Sequence, residues 1–233
     1  MSKIFEKDGM KLLNVDCMDA MKQYPDNYFD LAVCDPPYFP GPQKSEYYGG
    51  RNRKIPSANY SKITEWDVPG YDYFNELKRI SKKWIIWGCN YYDFGVEVPG
   101  RIIWNKCNSG SSFSDCEIAM TNCHDSVRMF TFMWNGMLQG RNFIEGHIMQ
   151  GDKSKNEVRI HQTQKPVALY EWIFTNYGKE VDKILDTHSG SASSFLAAVK
   201  FPLDEFIGFE LDPVVFDKSV KRIKEQTAQL SLF

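Results

Sequence analysis

The chain has 233 residues and near-balanced charge, 28 Lys and Arg against 30 Asp and Glu, for a formal net charge of −2. That length supports one α/β domain with a full core, and the balance excludes bulk electrostatic attraction to nucleic acid, so any such contact must come from local clusters. Apolar runs such as Trp84-Ile85-Ile86-Trp87 are too short to span a bilayer, and Met1-Ser2-Lys3-Ile4-Phe5-Glu6 lacks the apolar core of a signal peptide, so the expected compartment is the cytoplasm.

Lys11 to Val15 is predicted as a strand, with Asp16 placed as a helix N-cap and Asp19 in the first turn. Phe29 to Cys34 is a short, mostly apolar run that reads as a buried strand. Asp35-Pro36-Pro37-Tyr38 follows it directly. Two prolines cannot continue a sheet ladder, so the carboxylate, two rigid residues with free carbonyls and the ring are held at the strand's carboxyl end, the edge where open α/β sheets bind ligands. The pattern suits a flat heterocycle bearing an exocyclic amine. The ring would stack on Tyr38, and the amine would donate to Asp35 and to the carbonyl of Pro36. A plain turn is the alternative for these four residues alone.

From Phe39 to about Trp66 the chain is aperiodic and rich in Gly, Pro, Ser, Tyr and Arg, a length of loop that is usually functional. A helix over 71–81 and a strand over 84–87, stopped by Gly88, come next. Residues 101–104, 117–120 and 128–132 are predicted strands, and Asn135 to Ile160 is again irregular. Val167 to Tyr177 reads as a helix with Pro166 in its first turn, 183–186 as a strand, 192–200 as a helix, 205–209 as a strand and 214–226 as a helix. Strands alternating with helices predict a doubly wound, mostly parallel, Rossmann-like sheet.

The six cysteines include no Cys-x-x-Cys pair. Cys107, Cys116, Cys123 and His124 are therefore read as reduced thiols and a histidine rather than a metal set, and no metal is expected. Arg51, Arg53 and Lys54 form a basic run, and Arg141 stands in the second loop; these are candidate phosphate contacts, with solvated surface as the alternative.

Asp186-Thr187-His188-Ser189-Gly190-Ser191-Ala192-Ser193 lies between a strand and a helix, where small residues let a ligand approach the backbone. Glu210 ends the following strand, near the spacing (about 20 residues) at which an acid commonly binds ribose hydroxyls. With Gly190 as its single glycine, this turn suits a ligand without phosphate better than a dinucleotide.

Together these motifs resemble the β class of DNA amino-methyltransferases, which act on adenine N6 or cytosine N4 and in which the catalytic half precedes the cofactor half. Asp-Pro-Pro-Tyr is similar to the family's catalytic motif. Ile103-Trp104-Asn105-Lys106 and Ser114-Asp115-Cys116-Glu117 resemble its middle segments, His161-Gln162-Thr163-Gln164-Lys165-Pro166 its approach to the cofactor site, and Gly208-Phe209-Glu210-Leu211-Asp212 its ribose strand. The resemblance covers the chain apart from its two loops, and implies one methyltransferase domain over 1–233 with a DNA-contacting loop at 39–66, a target-recognition segment at 135–160 and a tail at 227–233.

It implies an S-adenosylmethionine-dependent enzyme of bacterial or phage type, working on double-stranded DNA beside the nucleoid, with restriction-modification as a setting and a homodimer as a possible assembly. Asp35, Pro36, Pro37 and Tyr38 would be catalytic. Asp16 and Cys17 would meet the cofactor's adenine (Asp16 serving otherwise only as a helix cap), Glu210 and Leu211 its ribose, and Asp186, Thr187, His188, Ser189, Gly190 and Ser191 its methionine end, bordered by Lys165 and Pro166. Many relatives carry a second glycine where this chain has Ala192. Asp at the first catalytic position favours adenine, since relatives acting on cytosine often carry Ser there. A dinucleotide-dependent oxidoreductase and a catalytically silent DNA-binding module are the readings from other classes. Finally, Gln229-Leu230-Ser231-Leu232-Phe233 resembles the peptide by which bacterial replication and repair proteins hold the sliding clamp, its alternative being a tail packed on the domain.

Overall fold

The computed structural model describes residues 3–38, 68–92, 98–108, 114–135, 138–140, 156–161 and 163–230. Strands β1 (Ile4–Lys7) and β2 (Met10–Asn14) form a hairpin, followed by α1 (Cys17–Met21), β3 (Phe29–Cys34), α2 (Tyr71–Ile80) and β4 (Ser81–Trp87). A 3-10 turn, Cys89–Tyr91, leads toward β5 (Arg101–Asn105), β6 (Cys116–Thr121), β7 (Val127–Thr131), β8 (Met133–Asn135) and β9 (Leu138–Gly140). Then come α3 (Val167–Tyr177), β10 (Lys183–Asp186), α4 (Ser193–Ala198), β11 (Glu205–Glu210) and α5 (Pro213–Leu230).

Nine strands make one sheet in the order β1-β2-β11-β10-β3-β4-β6-β5-β7, while β8 and β9 pair with each other. From β2 to β4 every neighbouring pair is parallel; β1 and β6 add antiparallel pairings. The fold is the expected mostly parallel α/β sheet. Its central strands are buried on both faces, which explains their near-continuous apolar composition. Along β3, Leu31 and Val33 pack toward α3, α4 and α5, whereas Ala32 and Cys34 pack toward α1 and α2, following the two-residue period of a strand; Phe29, at the start of the strand, joins the second cluster out of that alternation. Helix α2 buries Tyr73, Phe74, Leu77 and Ile80, one stripe at helical spacing.

Three expectations need correction. Ile4–Lys7 is a strand that the sequence reading left out, because an edge strand with half-exposed side chains carries no apolar run. The strand expected at 128–132 is present as β7, one residue earlier at each end, with β8 following from Met133. Within the stretch read as irregular, Leu138–Gly140 pairs antiparallel with Met133–Asn135, too short a pairing for periodicity to mark. Helix α5 runs on to Leu230, so residues 227–230 are helical rather than tail, and Gln229 and Leu230 lie on the helix. The loop at 39–66 falls outside the described residues, as do 141–155 and 231–233, and with them Arg51, Arg53, Lys54, Arg141, Leu232 and Phe233. Among the described residues no helix is long and apolar enough to cross a membrane.

Candidate active site

The parallel strands deliver the predicted motifs to one rim. Asn14 of β2 is level with Glu210 of β11, and Asp186 of β10 with Gly208. β10 lies directly against β3, the strand that ends at Asp35. Asp16, Glu210, the 186–193 turn and Asp35 therefore emerge at the carboxyl ends of four adjacent strands. β4, on the far side of β3, adds Gly88, Tyr91 and Tyr92 at the same end.

Asp35 is the centre of a buried charge cluster. Its Oδ2 lies 2.5 Å from Lys165 Nζ, which also reaches Glu117 Oε2 at 3.0 Å; Glu117 Oε1 in turn lies 2.5 Å from Lys106 Nζ. Lys165 is only 4% exposed, and its ammonium sits 5.6 Å from the centre of the Trp87 ring. Burial pushes the Asp35 carboxyl up, an effect that Lys165 offsets only in part because the lysine is shared with Glu117. Burial acts on Glu117 in the same sense, but two lysines outweigh it and hold that carboxyl at about 2. Lys165 is kept cationic by its two carboxylates against the pull of burial. Asp35 Oδ1 is buried and has no hydrogen-bond partner among the described residues. One oxygen of the acid is thus anchored and the other left to accept a donor, which a buried acceptor strongly favours.

The two prolines are pinned from the β4 side. Tyr92 Oη lies 2.8 Å from the carbonyl oxygen of Pro36 and 2.7 Å from that of Pro37, so it donates to this pair. The Pro36 carbonyl, expected to be free for an amine, already has a neighbour, although an oxygen has two lone pairs. The Tyr38 ring stacks on Tyr91, with centroids 4.7 Å apart and planes 8° from parallel, so one of its faces is covered by protein. Gly88 makes room for this stack: its φ is +75°, and a Cβ there would fall 2.5 Å from Tyr38 Cδ1.

On the cofactor side, Asp16 is the N-cap of α1, its Oδ1 accepting from Met18 N at 2.7 Å. Cys17 Sγ lies 3.9 Å from His188 Nε2. Burial holds His188 down to about 4, so its ring is neutral near pH 7; its Nδ1 is 2.9 Å from Thr187 Oγ1, which is also 2.5 Å from Tyr73 Oη. Asp186 is committed to its own turn: Oδ1 accepts from His188 N at 3.0 Å and Oδ2 from Ser194 Oγ at 2.5 Å. Glu210 accepts from Gly190 N at 2.9 Å and from Asp212 N at 2.8 Å. Pro166, placed by sequence in the first helical turn, is the N-cap of α3, and Leu211 is exposed beside Glu210. Gly190 and Ala192 both take left-handed backbone, φ +49° and +59°. For alanine this conformation costs about 1–2 kcal/mol.

This donor set fits a nucleoside bearing an amino acid rather than a phosphate. Glu210 offers an acceptor to a diol, and the turn that would meet a pyrophosphate presents small side chains and no cation. Burial raises the Glu210 carboxyl to about 7. A ribose diol donates to the carboxylate and loses that acceptor when the group protonates. Affinity for S-adenosylmethionine is therefore expected to fall as pH drops from 7 to 5.5, by up to about tenfold per unit, with Glu210→Gln flattening the slope. A level calorimetric profile in the unmodified protein would contradict this.

Tyr91, Tyr92, Gly88, Glu117, Lys106 and Tyr73 received no role from sequence reasoning. Only Lys106 and Glu117 carried a signal, as parts of the segments that resemble the family's middle motifs. Cys107, Cys116, Cys123 and His124 do not assemble a metal site: among the described residues no group of three or more His, Cys, Asp or Glu side chains is placed to hold an ion.

No family model matches the chain. It is 28% identical over 251 residues to the type II methyltransferase M.HinfI of Haemophilus influenzae, an alignment covering 92% of this chain and 68% of that protein. It is 25% identical over 273 residues to the type II methyltransferase M2.MboI of Moraxella bovis, covering 97% of this chain and 92% of that one. The chain is thus similar in sequence, over most of its length, to type II methyltransferases. Its fold matches the crystal structure of the M1.HpyAVI–SAM complex with a TM-score of 0.51 at 18% identity, over 91% of this chain and 99% of that one. It also matches the PvuII cytosine-N4-specific DNA methyltransferase with a TM-score of 0.54 at 13% identity, over 94% and 91%.

Proposed function

We propose that the chain transfers a methyl group from S-adenosylmethionine to the N6 amine of an adenine flipped out of double-stranded DNA. The observation that carries this reading is Asp35: a buried carboxylate with one oxygen anchored on Lys165 and the other open, one strand from the small-residue turn at Gly190.

A base cannot react inside the duplex, and flipping it out costs a few kcal/mol. Stacking of the base on the Tyr38 ring would supply about 1–3 kcal/mol. The amine donates to Asp35 Oδ1 and to the Pro36 carbonyl. Asp35 does not strip a proton beforehand, because even a raised carboxyl is far too weak a base for a neutral aromatic amine. It accepts a hydrogen bond that strengthens as the nitrogen pyramidalises and gains positive charge, which is stabilisation specific to the transition state. Lys165 keeps the acceptor oriented throughout. When bound, S-adenosylmethionine supplies the electrophilic methyl group on its sulfonium. Glu210, Asp16 and the 186–191 turn hold the cofactor, and the rigid rim contributes orientation.

Mass analysis of nucleosides from DNA incubated with the protein and S-adenosylmethionine is expected to yield N6-methyladenine. N4-methylcytosine in its place would move the reading to cytosine, and no methylated base would remove it. The loop at 39–66, with Arg51, Arg53 and Lys54, and the stretch around Arg141 are the natural DNA contacts. A homodimer and a sliding clamp held through residues 229–233 are the partners that the motifs favour; a clamp pull-down with and without those five residues tests the latter.

A further inference from the structure

The 189–193 turn carries two left-handed residues, and α5 grips the carbonyls between them. Ser219 Oγ donates to the Gly190 carbonyl at 2.5 Å. Arg222 Nη1 donates to the Ser191 carbonyl at 2.6 Å and to Ser193 Oγ at 3.0 Å. Arg222 is 4% exposed, and its other guanidinium nitrogen, Nη2, pairs with Glu157. Glu157 is tied into the frame of the site. Its carboxylate accepts from Gln164 Nε2 at 2.9 Å and from Val167 N at 3.0 Å, beside Lys165. Its backbone accepts from and donates to the Gln139 side chain of the β8–β9 hairpin at 2.9 and 2.7 Å.

We infer that Arg222 and Ser219 are positioning residues for the cofactor turn: they hold it in the shape in which Ala192 is left-handed, doing with side chains what a glycine at 192 would do with backbone freedom. This rests on the reading of the turn as the S-adenosylmethionine site. An alanine left to itself prefers right-handed or extended backbone. The carbonyls of Gly190 and Ser191 set the two peptide planes that flank Ser191, and the second of these planes leads directly into left-handed Ala192, which starts α4: Leu196 N bonds to the Ala192 carbonyl at 3.0 Å. Both fixed carbonyls are bound from α5, and Arg222 is held against the turn by a carboxylate from the opposite side. Neither residue touches the rim where a base or a methyl group would react, so their influence falls on cofactor affinity and not on the chemical step.

The test is a set of crossed substitutions. Removing Arg222 alone strands Glu157, so the pair Arg222→Met with Glu157→Gln is used, and Ser219→Ala is made separately with the ion pair intact. Each is placed in the Ala192 and Ala192→Gly backgrounds. In the alanine background, Ser219→Ala and the paired variant are expected to raise KM and calorimetric Kd for S-adenosylmethionine by about tenfold, within the coupling range of contacting residues, with kcat at saturating cofactor nearly unchanged. In the glycine background the same substitutions are expected to cost a few-fold or less. Equal losses in both backgrounds, or a fall in kcat instead of a rise in KM, would overturn the inference. Thermal unfolding without ligand reads the same rescue independently of the cofactor: failure of the unmodified protein to bind S-adenosylmethionine would refute the site reading, while additive unfolding shifts would refute the role of Arg222 and Ser219.

Discussion

Asp35→Asn is expected to lower the methyl-transfer rate by two to three orders of magnitude while S-adenosylmethionine still binds. The substitution keeps the shape of the side chain and removes its charge. Lys165 retains Glu117 at 3.0 Å, so no cation is stranded and the fold should survive. What disappears is the anionic acceptor at Oδ1, whose hydrogen bond strengthens as the amine nitrogen becomes positive. Loss of one such preorganised group costs about 3–4 kcal/mol in activation free energy. Single-turnover transfer of a tritiated methyl group gives the rate, and calorimetry the affinity. Near-normal transfer would remove Asp35 from the reaction; lost cofactor binding would make its role architectural.

Lys165→Met is expected to be the more damaging change for the molecule as a whole. Among the described residues, Asp35 would lose the one cation paired with it, and Glu117 would keep Lys106. Breaking a buried pair from one side costs about 3–5 kcal/mol, enough to endanger a marginally stable domain. The pH dependence separates this from simple unfolding. Among the described residues, the ionisable groups that influence Asp35 or are influenced by it include, besides Lys165, Glu117, Lys106, Asp186, Tyr92 and Tyr170. Lys165 exerts the largest pull against the burial that raises the Asp35 carboxyl. Without it the carboxyl rises further. The active form is the carboxylate, so the acid limb of the kcat profile must move to higher pH, and activity recovered at alkaline pH is the expected signature. An acid limb that stays in place or moves down would show that Lys165 does not act on Asp35.

Much of the rim was legible because each part is local. A short apolar run stopped by Pro36 and Pro37 places Asp35 at a strand end whatever the remaining chain does, and the same holds for Asp186 before Gly190 and for Glu210 closing β11. Strand-helix alternation then brings them to one edge. The supports were not legible. Tyr92 under the Pro36 carbonyl, Glu117 on Lys165 and Arg222 on Ser191 are contacts between residues far apart in sequence, and no periodicity marks them. Buried lysine and arginine look in sequence like ordinary surface charge, and only packing shows that Lys165 and Arg222 lie inside. Exposed β1 and the three-residue strands β8 and β9 failed for the opposite reason: they bury too little to leave an apolar pattern.

The Tyr92 hydroxyl carries a single proton yet stands between two carbonyls at almost equal distances, 2.8 and 2.7 Å. That one proton is shared or alternated between the two oxygens. In the proposed reaction, an amine that took the Pro36 carbonyl would leave the phenol's hydrogen to Pro37, a pivot of one O–H bond. Under that reading the entrance would hand one backbone oxygen to the base while the phenol keeps the other.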